Sequence, residues 1–244
     1  MHHGTFAPKM EARAGSTGAE PSTRLVRIDL NEQAYDWLRE RIVTRSFGPS
    51  DRLGLQALAD ELGVSRSPVH QALTRLVSEG LVSVSRRGYA VRPITTELVR
   101  HSHEARLALE LFAVQRAAAT VTEEQVAELR QLLAATLAPV EGELLADKPT
   151  YLSANRAFHE ALVDLPGNAV ISEMYRRLNV HQLVDRAILG LPSTDAGASS
   201  AEHTEIVEAI AAGDADRACA AVAANIETGR RLTLAAVELA GGVL

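Results

Sequence analysis

His159 and Glu160 open a string of the His-Glu-x-x-His kind, in which two histidines on one helical face hold zinc and the glutamate serves as a base. The fifth position is Val163, so the second ligand is missing and a zinc protease is excluded. The 244 residues contain no GxxxxGK[ST] phosphate loop, no dinucleotide-binding GxGxxG turn and no GxSxG nucleophile elbow. His103 stands three residues before Arg106, on the same face of a predicted helix, and is expected to be solvated rather than part of a pocket. His101 and His181 have no spacing that singles them out. The one cysteine, Cys219, excludes an intramolecular disulfide framework and a Cys-rich zinc module, and reads as a small core residue of the last helix.

The elements that position these residues are mostly helical. Aromatics make up only 4% of the chain, so the core must be built from Leu, Val, Ile and Ala, which suits packed helices. Residues 1–24, rich in Gly, Ser, Thr, Ala and Pro without periodicity, read as a flexible leader, in which His2 and His3 receive no role. Leu30, Ala34, Trp37, Leu38 and Ile42 then recur at helical spacing, up to a stop at Gly48-Pro49. A short helix follows over 55–62, ended by Gly63. Ser65 is placed to cap a third helix with Pro68 in its first turn, which runs to Gly80. Two extended stretches, 81–84 and 89–91, flank Arg86-Arg87-Gly88 and predict a β-hairpin with a basic tip. Three helices and a hairpin in this order describe a winged helix-turn-helix, whose second motif helix enters the DNA major groove. From Thr96 onward no strand signal persists. Amphipathic helices are predicted near 97–120, 123–138, 149–165, 168–190, 200–213 and 215–239, enough for an all-α bundle.

The stretch LGLQALADELGVSRSPVHQALTRLVSEGLVSVSRRGYAV, Leu53 to Val91, closely resembles the DNA-binding domain of GntR-type bacterial transcription regulators. Ser65, Arg66 and Ser67 fall at the start of the recognition helix. There, backbone N–H groups and hydroxyls can hold a phosphate, while Arg66 can reach a base edge or a phosphate. The tip Arg87-Gly88 resembles the family's minor-groove wing, its glycine permitting close backbone approach. Two positions depart from the pattern: Gln56 and His70 stand where the family favours Arg. Gln56 can still read adenine, whereas His70, without arginine's permanent charge, removes one anchor and puts the usual operator preference in question.

Three further segments, EARLALE (104–110), NRAFHEALVDLPGNAVI (155–171) and EHTEIVEAIAAGDADRA (202–218), resemble the FCD-type effector domain of the FadR-like subclass. The resemblance implies a homodimer on a pseudo-palindromic operator, a small organic acid as effector, and a pocket with a divalent ion held by one Asp and three His. His159 and His203 match two of those histidines. Asn155 takes the Asp position and Asn225 the last His position, so half of the ligand set is amide, a weaker donor. A zinc or nickel ion is therefore expected to be weakly held or absent. In its absence Asn155, His159, His203 and Asn225 would hydrogen-bond the effector directly. Arg106 matches the arginine of the first effector helix and can clamp a carboxylate bidentately.

The fold class expected is mainly α: a winged helix-turn-helix over 25–95 and an all-α effector and dimerisation domain over 96–244. Charge agrees, with 13 Lys and Arg against 10 Asp and Glu over residues 1–95 and 12 against 21 beyond, a basic part that approaches a polyanion and an acidic part that does not. The function expected is a ligand-responsive, repressing DNA-binding regulator, not an enzyme. No apolar run of membrane-spanning or signal-peptide length occurs, which together with the lone cysteine favours the cytoplasm. The alternatives are a metal-dependent hydrolase built on His159 and His203, and a protein-interaction module without DNA contact.

Overall fold

Asp29, Thr95, Thr122, Asp147, Asn168 and Asp214 each precede a helix and accept a hydrogen bond from a backbone N–H of its first turn. These are the short polar side chains that best satisfy such orphan donors, so the helix starts follow from local chemistry. At Thr122 the cap is reciprocal, because the Gln125 side chain accepts from the Thr122 N–H in return. The computed structural model describes residues 29–192 and 194–244. The leader expected over 1–24 lies outside them.

The first elements are α1 (Leu30–Val43), β1 (Arg52–Leu53), α2 (Leu55–Leu62), α3 (Arg66–Ser78), β2 (Val82–Ser85) and β3 (Gly88–Val91). The three strands form one antiparallel sheet in the order β1-β3-β2, with Val82 opposite Val91 and Leu53 opposite Tyr89. Leu38 and Ile42 of α1 pack with Val69, Leu73 and Leu76 of α3 and with Leu81 and Val91, all buried. This is the winged helix-turn-helix, with β1 adding a third strand to the expected hairpin. Helix α1 stops at Val43, well before Gly48-Pro49. The Thr44 hydroxyl bonds the Glu40 carbonyl and Arg45 takes φ 64°, which ends the helix there.

An all-helical bundle follows, with one small exception: α4 (Thr96–Ala117), α5 (Glu123–Leu137), β4 (Val140–Glu141), β5 (Leu144–Leu145), α6 (Lys148–Asp164), α7 (Ala169–Leu178), α8 (Val180–Leu189), α9 (Gly197–Ala211) and α10 (Ala215–Leu239). Helix α10 packs along α4 and α9, and α5 along α6 and α9. Leu129, Phe158, Leu162, Ile206, Ile210 and Val222 fill the space between them. Two sequence expectations are corrected. The pair β4 and β5 is a two-residue antiparallel ladder where no strand was expected. The single helix expected over 168–190 is two, broken at Asn179, which adopts a left-handed conformation (φ 52°, ψ 26°). Asparagine tolerates that region better than other residues with a Cβ.

Among the described residues, hydrogen bonds join the two halves at three places, and α1 also packs against α8. Ile94 and Leu244 exchange backbone hydrogen bonds of 2.7 and 3.0 Å, pairing the C-terminal segment with the connection between β3 and α4. Arg186 of α8 donates to the Arg92 carbonyl at 2.7 Å, and the Asn179 amide donates to the Ser78 carbonyl at 3.0 Å.

Candidate functional site

The outer face of α3 begins with Ser65, Arg66 and Ser67 and continues through His70, Gln71 and Thr74, all exposed. The helix carries no acidic residue, so nothing on it repels a phosphate. Ser65 occupies the cap position, but its hydroxyl makes no capping bond and stays available. The Arg66 Nε donates to the Gln56 Oε1, and the Gln56 amide nitrogen donates to Asp60 at 2.7 Å. Two positions that the sequence singled out separately thus form one unit: Gln56 aims Arg66. The His70 ring meets the edge of Tyr89 on β3, with centroids 6.2 Å apart. Arg87 and Gly88 stand at the exposed tip of the β2–β3 turn, where Gly88 needs φ 96°. Arg75, although exposed, is committed inward: its guanidinium lies 3.6 Å from the Tyr35 ring centre and pairs with Glu32 and Glu79.

A second site lies inside the bundle, and Glu110 is its hub. This carboxylate is wholly buried and accepts hydrogen bonds from Arg106 Nε (2.6 Å), Tyr175 Oη (2.7 Å) and His159 Nδ1 (2.9 Å). Burial alone would raise its pKa, but the Arg106 charge, with His159 behind it, holds the carboxyl well below the usual carboxylate range. Burial depresses His159, His181 and His203 below the ordinary histidine value, helped by Arg106, and burial takes His103 down to about 4. All four rings are therefore neutral near pH 7.

Neutral rings have definite tautomers, and their partners assign them. A carboxylate only accepts, so His159 carries its proton on Nδ1 and offers a lone pair from Nε2. His203 Nε2, 3.3 Å away, donates to that lone pair, which leaves His203 Nδ1 as an acceptor. His181 Nε2 faces the Tyr175 oxygen at 2.9 Å, and since the hydroxyl proton goes to Glu110, His181 is the donor. His103 Nδ1 donates to the Val99 carbonyl at 2.9 Å, leaving Nε2 as an acceptor. His103 Nε2, His203 Nδ1 and Arg106 Nη2 are then buried without partners among the described residues. Two imidazole lone pairs and the two N–H groups of one guanidinium nitrogen are left unsatisfied.

Of the residues selected from sequence, Arg106, His159 and His203 meet around Glu110. Asn225, at the edge, donates to Ser199 at 3.2 Å and to Glu202 at 3.3 Å. Asn155 is buried on the same helix as His159, one turn earlier. The expectation that His103 is solvated is corrected: it is 1% exposed, because α10 covers that face of α4. Glu110, Tyr175 and His181 were missed. Glu110 had a usable signal, an acid four residues after Arg106 on the same helical face.

As placed here, the donor set is a poor one for zinc or nickel. The two imidazoles are bonded to each other, the Asn225 amide turns to Ser199 and Glu202, and Glu110 lies on the far nitrogen of His159. Among the described residues, no group of three or more His, Cys, Asp and Glu side chains is placed to hold an ion.

Comparison with known proteins agrees with both halves. Residues 30–91 match the family model of bacterial regulatory proteins of the gntR family, and residues 101–228 match the FCD domain. The chain is 28% identical over 148 residues to the uncharacterised HTH-type regulator YdhC of Bacillus subtilis, covering 60% of this chain and 65% of that one. It is 31% identical over 137 residues to the HTH-type transcriptional repressor RspR of Escherichia coli, covering 56% and 59%. The chain thus spans 59–65% of the length of these relatives. The solved structure of E. coli McbR/YncC superposes with a TM-score of 0.66 at 23% identity, over 84% of this chain and 97% of that one, and shows the shared fold. A winged helix-turn-helix joined to a helical bundle of this kind is the architecture of a DNA-binding transcription regulator. The chain belongs to the gntR family of bacterial regulatory proteins and carries an FCD domain.

Proposed function

We propose that this protein is a ligand-responsive, repressing regulator whose hold on its operator is set by a small organic acid in the helical bundle. The observation that carries the reading is that Arg106 Nη2, His103 Nε2 and His203 Nδ1 are all buried without partners among the described residues. Orphaned buried donors and acceptors cost free energy, and a ligand that satisfies them recovers it. Arg106 Nη2 suits a carboxylate oxygen, while the lone pairs of His103 and His203 suit hydroxyl donors. Asn155, His159 and Asn225 complete the proposed effector site. Residues 25–95 form the DNA-binding domain and 96–244 the effector and dimerisation domain. A homodimer would present two recognition helices to a pseudo-palindromic operator. The cytoplasm is the matching compartment. No helix among the described residues is long and apolar enough to cross a membrane. The repressing sign follows the name of RspR.

Thermal denaturation against a panel of small carboxylic acids tests the reading. At least one acid should raise the midpoint of the wild type and not of Arg106→Met, since a ligand bound only by the folded state stabilises it by mass action. The same acid should release DNA. Stabilisation and release by a neutral or cationic metabolite, with every acid inert, would overturn the acid assignment.

The proposed DNA contacts are Gln56, Ser65, Arg66, Ser67, His70, Arg87 and Gly88. Arg66→Ala is expected to lower the slope of log affinity against log salt by about one, if Arg66 meets phosphate. If it reads a base, the loss is about 1–3 kcal/mol at one base pair only. Equal affinities of wild type and variant for specific and nonspecific DNA would remove α3 from the interface.

Zinc or nickel, where held at all, is held weakly by His159 and His203. Asn155→Asp with Asn225→His is expected to convert the site to stoichiometric binding that survives dialysis against a chelator. The wild type should retain well under one ion per chain. Elemental analysis showing one firmly held ion per wild-type chain would contradict this.

A further inference from the structure

Asparagine is among the best residues for capping a helix start, and Asn179 stands at the start of α8, yet its side chain caps nothing there. The amide instead donates to the carbonyl of Ser78, the last residue of α3, at 3.0 Å. Gly80, whose φ of 74° favours glycine, lies beside this bond: a Cβ there would stand in ordinary contact, 3.5 Å from the Asn179 Cβ. The end of the recognition helix is therefore bonded directly to the break between α7 and α8.

That break is bracketed by two residues of the buried network. Tyr175 precedes Asn179 by four positions, His181 follows by two, and their side chains bond to each other at 2.9 Å across it. Tyr175 is in turn tied to Glu110, the carboxylate that Arg106 and His159 share. At the other end of α8, Arg186 holds the Arg92 carbonyl, and the Arg45 guanidinium lies against Gly190. One helix thus connects the Glu110 network to the winged helix-turn-helix.

We propose that Asn179 is a positioning residue for the recognition helix: it ties α3 to the α7–α8 break, and the Tyr175–His181 bond across that break makes the tie depend on the Glu110 network. This deepens the effector reading above and rests on it for its physiological use. Any change at Arg106 or His159 that alters how Glu110 holds Tyr175 alters the angle between α7 and α8. The left-handed residue at the break is where that angle is absorbed.

A double-mutant cycle tests the coupling without any effector, so a failure of the acid reading leaves it intact. The probe is a duplex that the full-length wild type selects from a random-sequence library, and affinity is read by fluorescence anisotropy. Asn179→Gly keeps the left-handed backbone and deletes the amide; Tyr175→Phe keeps the ring and deletes the hydroxyl. Asn179→Gly alone should change affinity about two- to tenfold, the range for one hydrogen bond. Tyr175→Phe should change affinity threefold or more in the wild-type background. In the Asn179→Gly background its effect should shrink by at least half on a logarithmic scale. Hydrogen exchange supplies a readout independent of DNA: amides near the end of the 66–80 segment should exchange faster in Asn179→Gly and Asn179→Asp. Equal Tyr175→Phe effects in both backgrounds, no Tyr175→Phe effect, or unchanged exchange over 66–80 would each overturn the assignment.

Discussion

Lowering the pH from 6.5 to 5 is expected to reduce the folding stability of the wild type, because four histidines are held neutral inside the bundle. His103, His159, His181 and His203 all have folded-state pKa values below the ordinary one, chiefly through burial. Below about pH 6.5 the unfolded chain takes up a proton at each ring more readily than the folded chain does. Stability is therefore complete above the unfolded value and falls as pH drops, by up to about 1.4 kcal/mol per pH unit for each ring. Asp185 acts oppositely. Burial raises its carboxyl to about 6 despite the Arg156 partner, so it binds a proton in the folded state first and returns about 1 kcal/mol over the same interval. Urea midpoints at pH 7.5, 6.5, 5.5 and 5 measure the slope; a flat profile would mean that the folded chain protonates these rings as readily as the unfolded one.

Replacing Glu110 by Gln is expected to destabilise the protein by about 3–5 kcal/mol, the usual loss when one partner of a buried ion pair is removed. Arg106 is 2% exposed and would keep its charge without a counter-ion, while Tyr175 and His159 would lose their charged acceptor. The double variant Arg106→Met with Glu110→Leu should recover much of the loss, because it removes both charges together. Chemical denaturation of the three proteins gives the comparison. A loss under about 1 kcal/mol in Glu110→Gln would show that the Arg106 charge is compensated by groups other than Glu110.

How much of this was legible in the sequence depends on the range of the interactions. The caps, the glycines at 63 and 80 and the spacing of Leu38, Ile42, Leu73 and Leu76 are local, and the winged helix-turn-helix follows from them. Arg106, His159 and His203 were found through resemblance, and Glu110 was within reach as the acid one helical turn after Arg106. Tyr175 and His181 were not. Nothing in their spacing indicates that a helix breaks between them, because Asn179 lies in a continuous amphipathic pattern with no Pro or Gly beside it. The β4–β5 ladder is two residues per strand, too short for alternation to register. His103 was misread because its burial depends on α10, which lies more than 100 residues away in sequence.

The exchange of hydrogen bonds between Ile94 and Leu244 changes what kind of joint the connection after β3 is. An unpaired linker lets the domain beyond it wander through a cone of directions, and each added direction dilutes any signal sent across it. A short antiparallel ladder, buried at both residues, removes many of those directions, and a turn about the line of the ladder is one that it does not block. Small turns about a fixed line have large geometric effect: about 10° moves a point about 20 Å away by about 3.5 Å, close to the spacing of adjacent base pairs along one DNA strand. Where half-sites are read at a set separation, that displacement is a whole step out of register. The bundle would then need only to bias one angle, rather than to melt or detach the DNA-reading half, to move the chain between holding its site and leaving it.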